Sequence, residues 1–134
     1  MKTDRDIEKS IDDRPSPEVC KSTLAPVQDA LYVLNGKWKL TILVAMLEGN
    51  NRFGDIQRAL NKIAPKVLSH ELKELELHGF ITRTVFDSTP VVIKYELTDY
   101  SASLGPVIAA LRDWGVQHRE RIVLQMNKSV TTYL

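Results

Sequence analysis

The strongest constraint on the fold is a change of hydrophobic period at Gly79. Before this residue, leucines recur at the i, i+4, i+7 spacing of a helix that buries one side. These leucines are Leu68, Leu72 and Leu75. After it, residues 80–86 and 91–97 alternate in side-chain character and are rich in β-branched and aromatic residues, which is typical of strands. Because residues 87–90 read as a turn, the sequence predicts a helix followed directly by a β-hairpin.

The remaining chain is predicted to be helical. Pro65 suits the first turn of the leucine helix, and residues 61–64 before it form a turn. Apolar residues at helical spacing predict further helices, which cover residues 24–35, 38–47, 53–60 and 101–126. Two helices joined by a tight turn and followed at once by a hairpin form a winged helix-turn-helix. The predicted fold class is therefore mainly α with a small β-hairpin.

The chain length is that of one domain. At 134 residues, with 43% apolar and 26% charged side chains, the chain is too apolar for disorder throughout. We expect a flexible arm over residues 1–23, the winged domain over 24–126 with dimerisation helices at 24–35 and 101–126, and a tail over 127–134. No apolar run is long enough for a membrane span, and no signal peptide is indicated. The lone cysteine, Cys20, excludes an internal disulfide, so we expect a cytoplasmic protein.

The positive charge is concentrated locally. The net charge is only +1, but the segment Gly36–Lys73 holds seven Lys or Arg residues and three acids. A local positive field attracts phosphates, although an ordinary solvated surface would also carry such charges. On charge alone, the sequence leaves both interpretations open.

The predicted helix from Pro65 meets the demands of DNA reading. A helix in the major groove, which is about 12 Å wide, must bury one side and project polar or basic side chains from the other. The side opposite the leucines carries Lys66, Ser69, His70 and Lys73. The basic residues lie at the N-terminal end of the helix, although the helix dipole favours positive charge at the C-terminal end. This placement opposes the stability of the helix, which indicates that the charges serve a purpose outside it. We predict that these four residues lie in the major groove.

Further DNA contacts are predicted around this helix. Cations outside it are assigned mainly to phosphates: Lys37, Arg52, Arg83 and Lys94. Ser88 lies in the predicted hairpin turn, where the tip of a wing reaches a phosphate strand or the minor groove.

An apolar stripe on the last helix predicts self-association. The stripe exposes more apolar surface than one small domain covers, so we expect a homodimer bound to a near-palindromic operator. The predicted interface residues are Leu31, Leu104, Val107, Ile108, Leu111, Trp114, His118 and Ile122.

The chain resembles the HxlR-type winged helix-turn-helix transcriptional regulators of bacteria, which are relatives of the MarR type. The resemblance spans about residues 25–115, and its order and spacing are more specific than any single motif. The matching motifs are Gly36-Lys37-Trp38-Lys39, Arg52-Phe53, Ile63-Ala64-Pro65-Lys66-Val67-Leu68-Ser69, Gly79-Phe80-Ile81, Tyr95-Glu96-Leu97-Thr98 and Trp114-Gly115. The resemblance implies a DNA-binding homodimer that pairs through its first and last helices. It also implies sensing of electrophiles, oxidants or metabolites in many members.

Two departures from the family pattern bear on function. The family usually has Cys where this chain has Ala25, so thiol sensing is in doubt. Cys20 stays a candidate redox residue, but a passive role is favoured because only Lys21 is placed to promote its thiolate form. Ala64 stands where a Ser or Thr would cap the reading helix.

The sequence is also compatible with a function other than DNA binding. The alternative is a winged-helix module that docks proteins without binding DNA. No enzyme is expected, because no nucleophile–base arrangement or glycine-rich phosphate loop occurs. No cofactor and no metal ligand set is expected, and control by an unknown small-molecule effector or a redox signal is left open.

Overall fold

The computed structural model describes residues 17–133, with side chains for residues 22–128. Within this part, the chain forms α-helices, one antiparallel hairpin and one 3₁₀ turn. In order, these are α1 (Pro17–Val33), α2 (Lys39–Leu47), α3 (Phe53–Leu60), α4 (Pro65–Leu77), β1 (Ile81–Phe86), β2 (Val92–Leu97), the 3₁₀ turn (Tyr100–Leu104) and α5 (Gly105–Tyr133). This order confirms the predicted mainly α class with a hairpin.

The chain divides into two compact units, with the boundary after Gly36. The first unit contains α1, which begins at Pro17 and not at the predicted residue 24. Pro26 lies inside this helix and does not open it. The rule that proline suits a first turn applies here to the earlier proline, Pro17. Residues 17–23 of the predicted arm are thus helical, while residues 1–16 lie outside the described part.

The second unit is built around the leucine side of α4. Its most buried side chains come from α2, α3, α4 and β1, so these four elements share one core. The fully buried residues are Ile42, Leu43, Ile56, Leu68, Leu72, Leu75 and Ile81. All three leucines of the predicted stripe belong to this core. The leucine spacing therefore fixes which side of α4 faces inward and which side remains for solvent.

The hairpin is tied to the helices at its base. Ile81 pairs with Leu97 and Arg83 pairs with Tyr95 in the antiparallel register. The hydroxyl of Thr98 donates to the carbonyl of Gly79 at 2.6 Å, which joins the two ends of the hairpin. The backbone N–H of Tyr95 donates to the carbonyl of Asn51 at 2.8 Å, so the hairpin is also anchored next to α3. These bonds hold the hairpin as a wing beside α4.

The turn between α3 and α4 contains unusual backbone angles. Asn61 and Lys62 have φ values of 48° and 67°. Such positive φ values are costly for residues with a Cβ, at about 1–2 kcal/mol for a left-handed conformation. Asn tolerates this region better than Lys does, because its short side chain can bond locally. The tight turn of the helix-turn-helix is therefore kept at some cost in local stability.

The C-terminal end of the chain is one long helix. α5 runs from Gly105 to Tyr133, so residues 127–133 of the predicted tail are helical. The predicted start at 101 is instead a 3₁₀ turn. No helix in the described part is both long and apolar enough to cross a lipid bilayer.

Candidate nucleic-acid interface

α4 is the element that positions the predicted DNA-reading residues. Pro65 occupies the first turn of α4, as predicted. A backbone N–H at this position has no partner within the helix, so the missing N–H of proline costs no hydrogen bond. Ala64 precedes it in an extended conformation and makes no side-chain capping bond. Leu68, Leu72 and Leu75 bury the opposite side, so the rotation of α4 about its axis is fixed by the core.

The outward side of α4 carries free positive charge. Lys66, His70 and Lys73 are exposed, and Ser69 is half-buried. Among residues 22–128, neither Lys66 nor Lys73 has an acidic partner within ion-pair distance. Unpaired lysines are available to neutralise phosphates without first breaking an internal bond.

His70 has an acidic neighbour on the same helix. Its Nε2 lies 3.6 Å from Oε1 of Glu74, one turn further along α4. The other oxygen of Glu74 lies 4.0 Å from Nδ1 of His78, and that ring nitrogen also lies 2.9 Å from the Glu74 carbonyl. Glu74 is therefore engaged at the C-terminal half of α4, away from the basic first turn.

A buried ion pair joins α4 to α2. Nζ of Lys39 donates to Oε2 of Glu71 at 2.8 Å, with side chains 6% and 15% exposed. Lys39 belongs to the basic segment by sequence, but its charge is compensated inside the protein. It therefore adds nothing to the outward positive field, and it links the reading helix to the central helix.

A groove of about 450 Å³ lies between α4 and the hairpin. It brings together three predicted DNA-contact residues, Ser69, Lys73 and Arg83. Its other lining residues, which were not predicted to contact DNA, are Phe53, Leu72, Glu76 and Tyr95. The position of Tyr95 follows from its pairing with Arg83 in the hairpin, so only the strand register could have revealed it. The groove joins the reading helix and the wing into one polar surface.

The other wing residues do not join this groove. Lys94 pairs with Thr84, so strand alternation places it on the sheet face opposite Arg83. Its Nζ lies 3.8 Å from a carboxylate oxygen of Glu96, and it lines a separate hollow with Asn50 and Asn51. The hydroxyl of Ser88 donates to the carbonyl of Pro90 at 2.7 Å, within the hairpin turn.

The two remaining predicted phosphate contacts lie at the starts of helices. Lys37 precedes α2, and its Nζ lies 4.8 Å from the ring centre of Trp38, a cation–π contact. Arg52 is the residue before α3, is exposed and makes no capping bond. Both are accessible, but the structure does not place either in the groove beside α4.

The predicted dimer residues divide into two groups. Leu104 is 9% exposed and belongs to the core of its own chain, so its assignment to a partner surface is corrected. Ile108 is half-buried and lines an apolar cavity of about 330 Å³ with Leu43, Leu47 and Leu97. The exposed members are Leu31 on α1 and Val107, Leu111, Trp114, His118 and Ile122 on α5. On α5, the rings of Trp114 and His118 stack with centres 5.0 Å apart.

The described residues contain no cluster of three or more His, Cys, Asp or Glu side chains arranged to hold a metal ion. The side chain of Cys20 lies outside the described set, although its backbone lies in α1.

Known proteins resemble this chain in sequence and in fold. The family model of the HxlR-like helix-turn-helix matches residues 33–123. A curated relative, the HTH-type transcriptional regulator YdeP of Bacillus subtilis, itself uncharacterized, is 36% identical over 97 residues, which cover 72% of this chain and 76% of YdeP.

Solved structures of regulators also resemble this chain. The redox regulator HypR in its reduced form superposes with a TM-score of 0.68 at 32% identity, covering 72% of this chain and 96% of HypR. A protein described as a MarR-family transcriptional regulator, from Enterococcus faecalis V583, gives a TM-score of 0.65 at 31% identity and covers 75% of this chain and 92% of that one.

These matches confirm the prediction of a winged helix-turn-helix regulator that binds DNA, and they favour it over the protein-docking alternative. The region that the family model matches contains α4 and the hairpin, which build the interface described above, and it extends into α5 as far as residue 123. The chain belongs to the HxlR-like helix-turn-helix family of transcriptional regulators.

Proposed function

We propose that this protein regulates transcription as a homodimer that inserts one α4 helix per subunit into the major groove of a near-palindromic operator. One observation carries the proposal: the side of α4 opposite the buried leucines presents Lys66 and Lys73 without acidic partners among the described residues. The reading residues would be Lys66, Ser69, His70 and Lys73. This assignment follows the geometry in which a leucine-backed helix projects polar groups toward base edges.

The phosphate contacts would come from the flanks of α4. Arg83 is the strongest of them, since it lines the same groove as Ser69 and Lys73. Arg52 and Lys37 are exposed and would also contact the phosphate backbone. Lys94 and Ser88 remain candidates, but one lies on the other sheet face and the other is bonded within its turn.

Dimerisation would use the exposed apolar side of α5. Leu111 and Trp114 lie on adjacent positions of one helical stripe and are 50% and 63% exposed. A single winged domain buries only about 600–1,000 Å² on DNA, so pairing two copies doubles the contact and sets two half-sites about one helical turn apart. Leu31 on α1 is exposed as well and would add to the interface.

Selection of bound duplexes from a random pool tests this proposal. The expected result is an enriched near-palindrome whose half-sites are separated by about ten base pairs. The double variant Lys66→Ala/Lys73→Ala should lose at least about a hundredfold in affinity for that duplex, since each specific contact is worth about 1–3 kcal/mol. Its circular dichroism should match that of the wild type. Normal binding by the double variant would refute the assignment.

A control variant with the same change in net charge tests whether the loss of affinity depends on the positions of Lys66 and Lys73. The variant Arg112→Ala/Arg119→Ala removes the same charge from exposed positions of α5 beside the predicted dimer stripe, and it should bind nearly as tightly as the wild type. A salt titration then separates DNA binding from protein docking, because phosphate neutralisation makes log K fall linearly with log salt. Four phosphate contacts per subunit predict a slope of about −7.

Control by a small molecule is part of the proposal. The apolar cavity of about 330 Å³ lies where α2, the end of β2 and α5 meet. A ligand there would change operator affinity only if it bound the two arrangements of the reading helices unequally. Filling the cavity with Leu97→Phe should abolish any such response; an unchanged response would show that the effector binds elsewhere.

A further inference from the structure

The first turn of α4 presents apolar side chains to solvent. Val67 is 39% exposed although it is a branched hydrocarbon, and Ala64 and Pro65 beside it are exposed too. Ala64 offers no polar atom to cap the helix. We name these three residues the α4 tip patch. The end of the helix that would enter the DNA groove therefore presents apolar side chains beside the charge of Lys66.

Val67 lies among the polar residues predicted to read DNA. Lys66 precedes it, and His70 follows at i+3, which is a neighbouring position on a helix surface. Ala64 lies at i−3 on the other side of Val67. In contrast, Leu68 next in sequence is fully buried. The core therefore accounts for Leu68 but leaves Val67 at the edge of the outward side.

The chemistry of the major groove defines what an apolar side chain can recognise there. The base edges present hydrogen-bond donors and acceptors, and one hydrocarbon group, the C5 methyl of thymine. A valine beside a cytosine or adenine amino group would exclude water without replacing its hydrogen bond, and this is unfavourable. Beside a thymine methyl, the same valine removes apolar surface from water on both partners.

We propose that Val67, with Ala64 beside it, reads a thymine methyl in each half-site of the operator. The proposal rests on the proposed function, in which α4 lies in the major groove. Val67 is then a specificity-determining residue that acts by methyl contact, while Lys66 and Lys73 supply charge. Thymine should be strongly preferred at one symmetric position of the selected operator.

Replacing thymine by deoxyuridine tests the contact, because this change removes only the methyl group. Each thymine of the selected operator is replaced in turn, symmetrically in both half-sites, and affinity is measured by fluorescence anisotropy. For the wild type, one position should lose roughly fourfold per half-site, or about fifteenfold for the palindrome, as expected for burial of one methyl. The Val67→Ala variant should bind the thymine operator more weakly and show less than twofold further loss at that position.

The control is Leu77→Ala, which removes an exposed apolar side chain from the other end of α4. It should keep the full deoxyuridine effect. Alanine has a higher helix propensity than valine, so Val67→Ala should fold normally. If Val67→Ala is as sensitive to deoxyuridine as the wild type at every position, the assignment of Val67 is refuted. If no duplex is preferred at all, the proposed function itself fails.

Discussion

The buried ion pair between Lys39 and Glu71 gives a quantitative prediction. Replacing Lys39 by methionine keeps most of the side-chain volume but leaves the Glu71 carboxylate without its ammonium partner at 2.8 Å. Breaking a buried pair from one side costs about 3–5 kcal/mol. Glu71 is still 15% exposed and can recover some hydration, so we expect a loss of about 2–4 kcal/mol in the free energy of unfolding.

Urea unfolding followed by circular dichroism measures this loss. The protein concentration must be fixed, since self-association shifts apparent stability. The control is Lys37→Met, two residues earlier, where the lysine is exposed. It should change stability by less than about 0.5 kcal/mol. An equally small effect of Lys39→Met would show that the pair contributes no more than a surface pair and would refute the reasoning.

The double variant Lys39→Met/Glu71→Met tests the same ion pair by replacing both of its partners. Apolar replacement of both partners removes the unpaired charge, so most of the lost stability should return. Lys39 and Glu71 are 32 positions apart in sequence, and their pairing holds α4 against α2. We therefore expect the double variant to fold but to discriminate its operator from random DNA less well than the wild type. If the double variant discriminates its operator from random DNA as well as the wild type does, the packing of the leucine core alone is sufficient to position α4.

Three further predictions follow from particular residues. Lys62→Gly should stabilise the protein by about 0.5 kcal/mol, because the positive φ costs lysine more free energy than glycine loses in backbone entropy. Lys62→Ala should not stabilise the protein, and urea unfolding measures the stability of both variants. Leu111→Asp should sediment as a monomer, whereas Val116→Asp, on the opposite side of α5, should stay dimeric; equal behaviour would contradict the proposed interface. Diamide should leave operator affinity within twofold in both the wild type and Cys20→Ser, and a loss confined to the wild type would assign a redox role to Cys20.

Most of the secondary structure could be predicted because its signals are local. The start of α4 at Pro65 and its leucine spacing are both present within thirteen consecutive residues. The start of α1 and the end of α5 were both predicted wrongly, and for the same reason. α1 begins at Pro17 and α5 continues to Tyr133, in segments where neither charge nor apolar spacing marks a boundary.

The candidate interface was predictable only in part. The outward residues of α4 follow from helical geometry once the leucines are known to be inside. Whether Arg83 or Lys94 joins the groove depends on which face of the hairpin packs beside α4. The burial of Leu104 depends on the contact between the 3₁₀ turn and the core.

The sequence alone determined the helix-hairpin order, the inward side of α4 and the family. Each of these depends on periodicity or motifs within one stretch of chain. The tertiary structure decided which charges are available to DNA: Lys39 is neutralised inside the protein by Glu71, while Lys66 and Lys73 on α4 remain outward. The physical reason is that burial and pairing of a charge depend on residues distant in sequence, which local patterns do not specify.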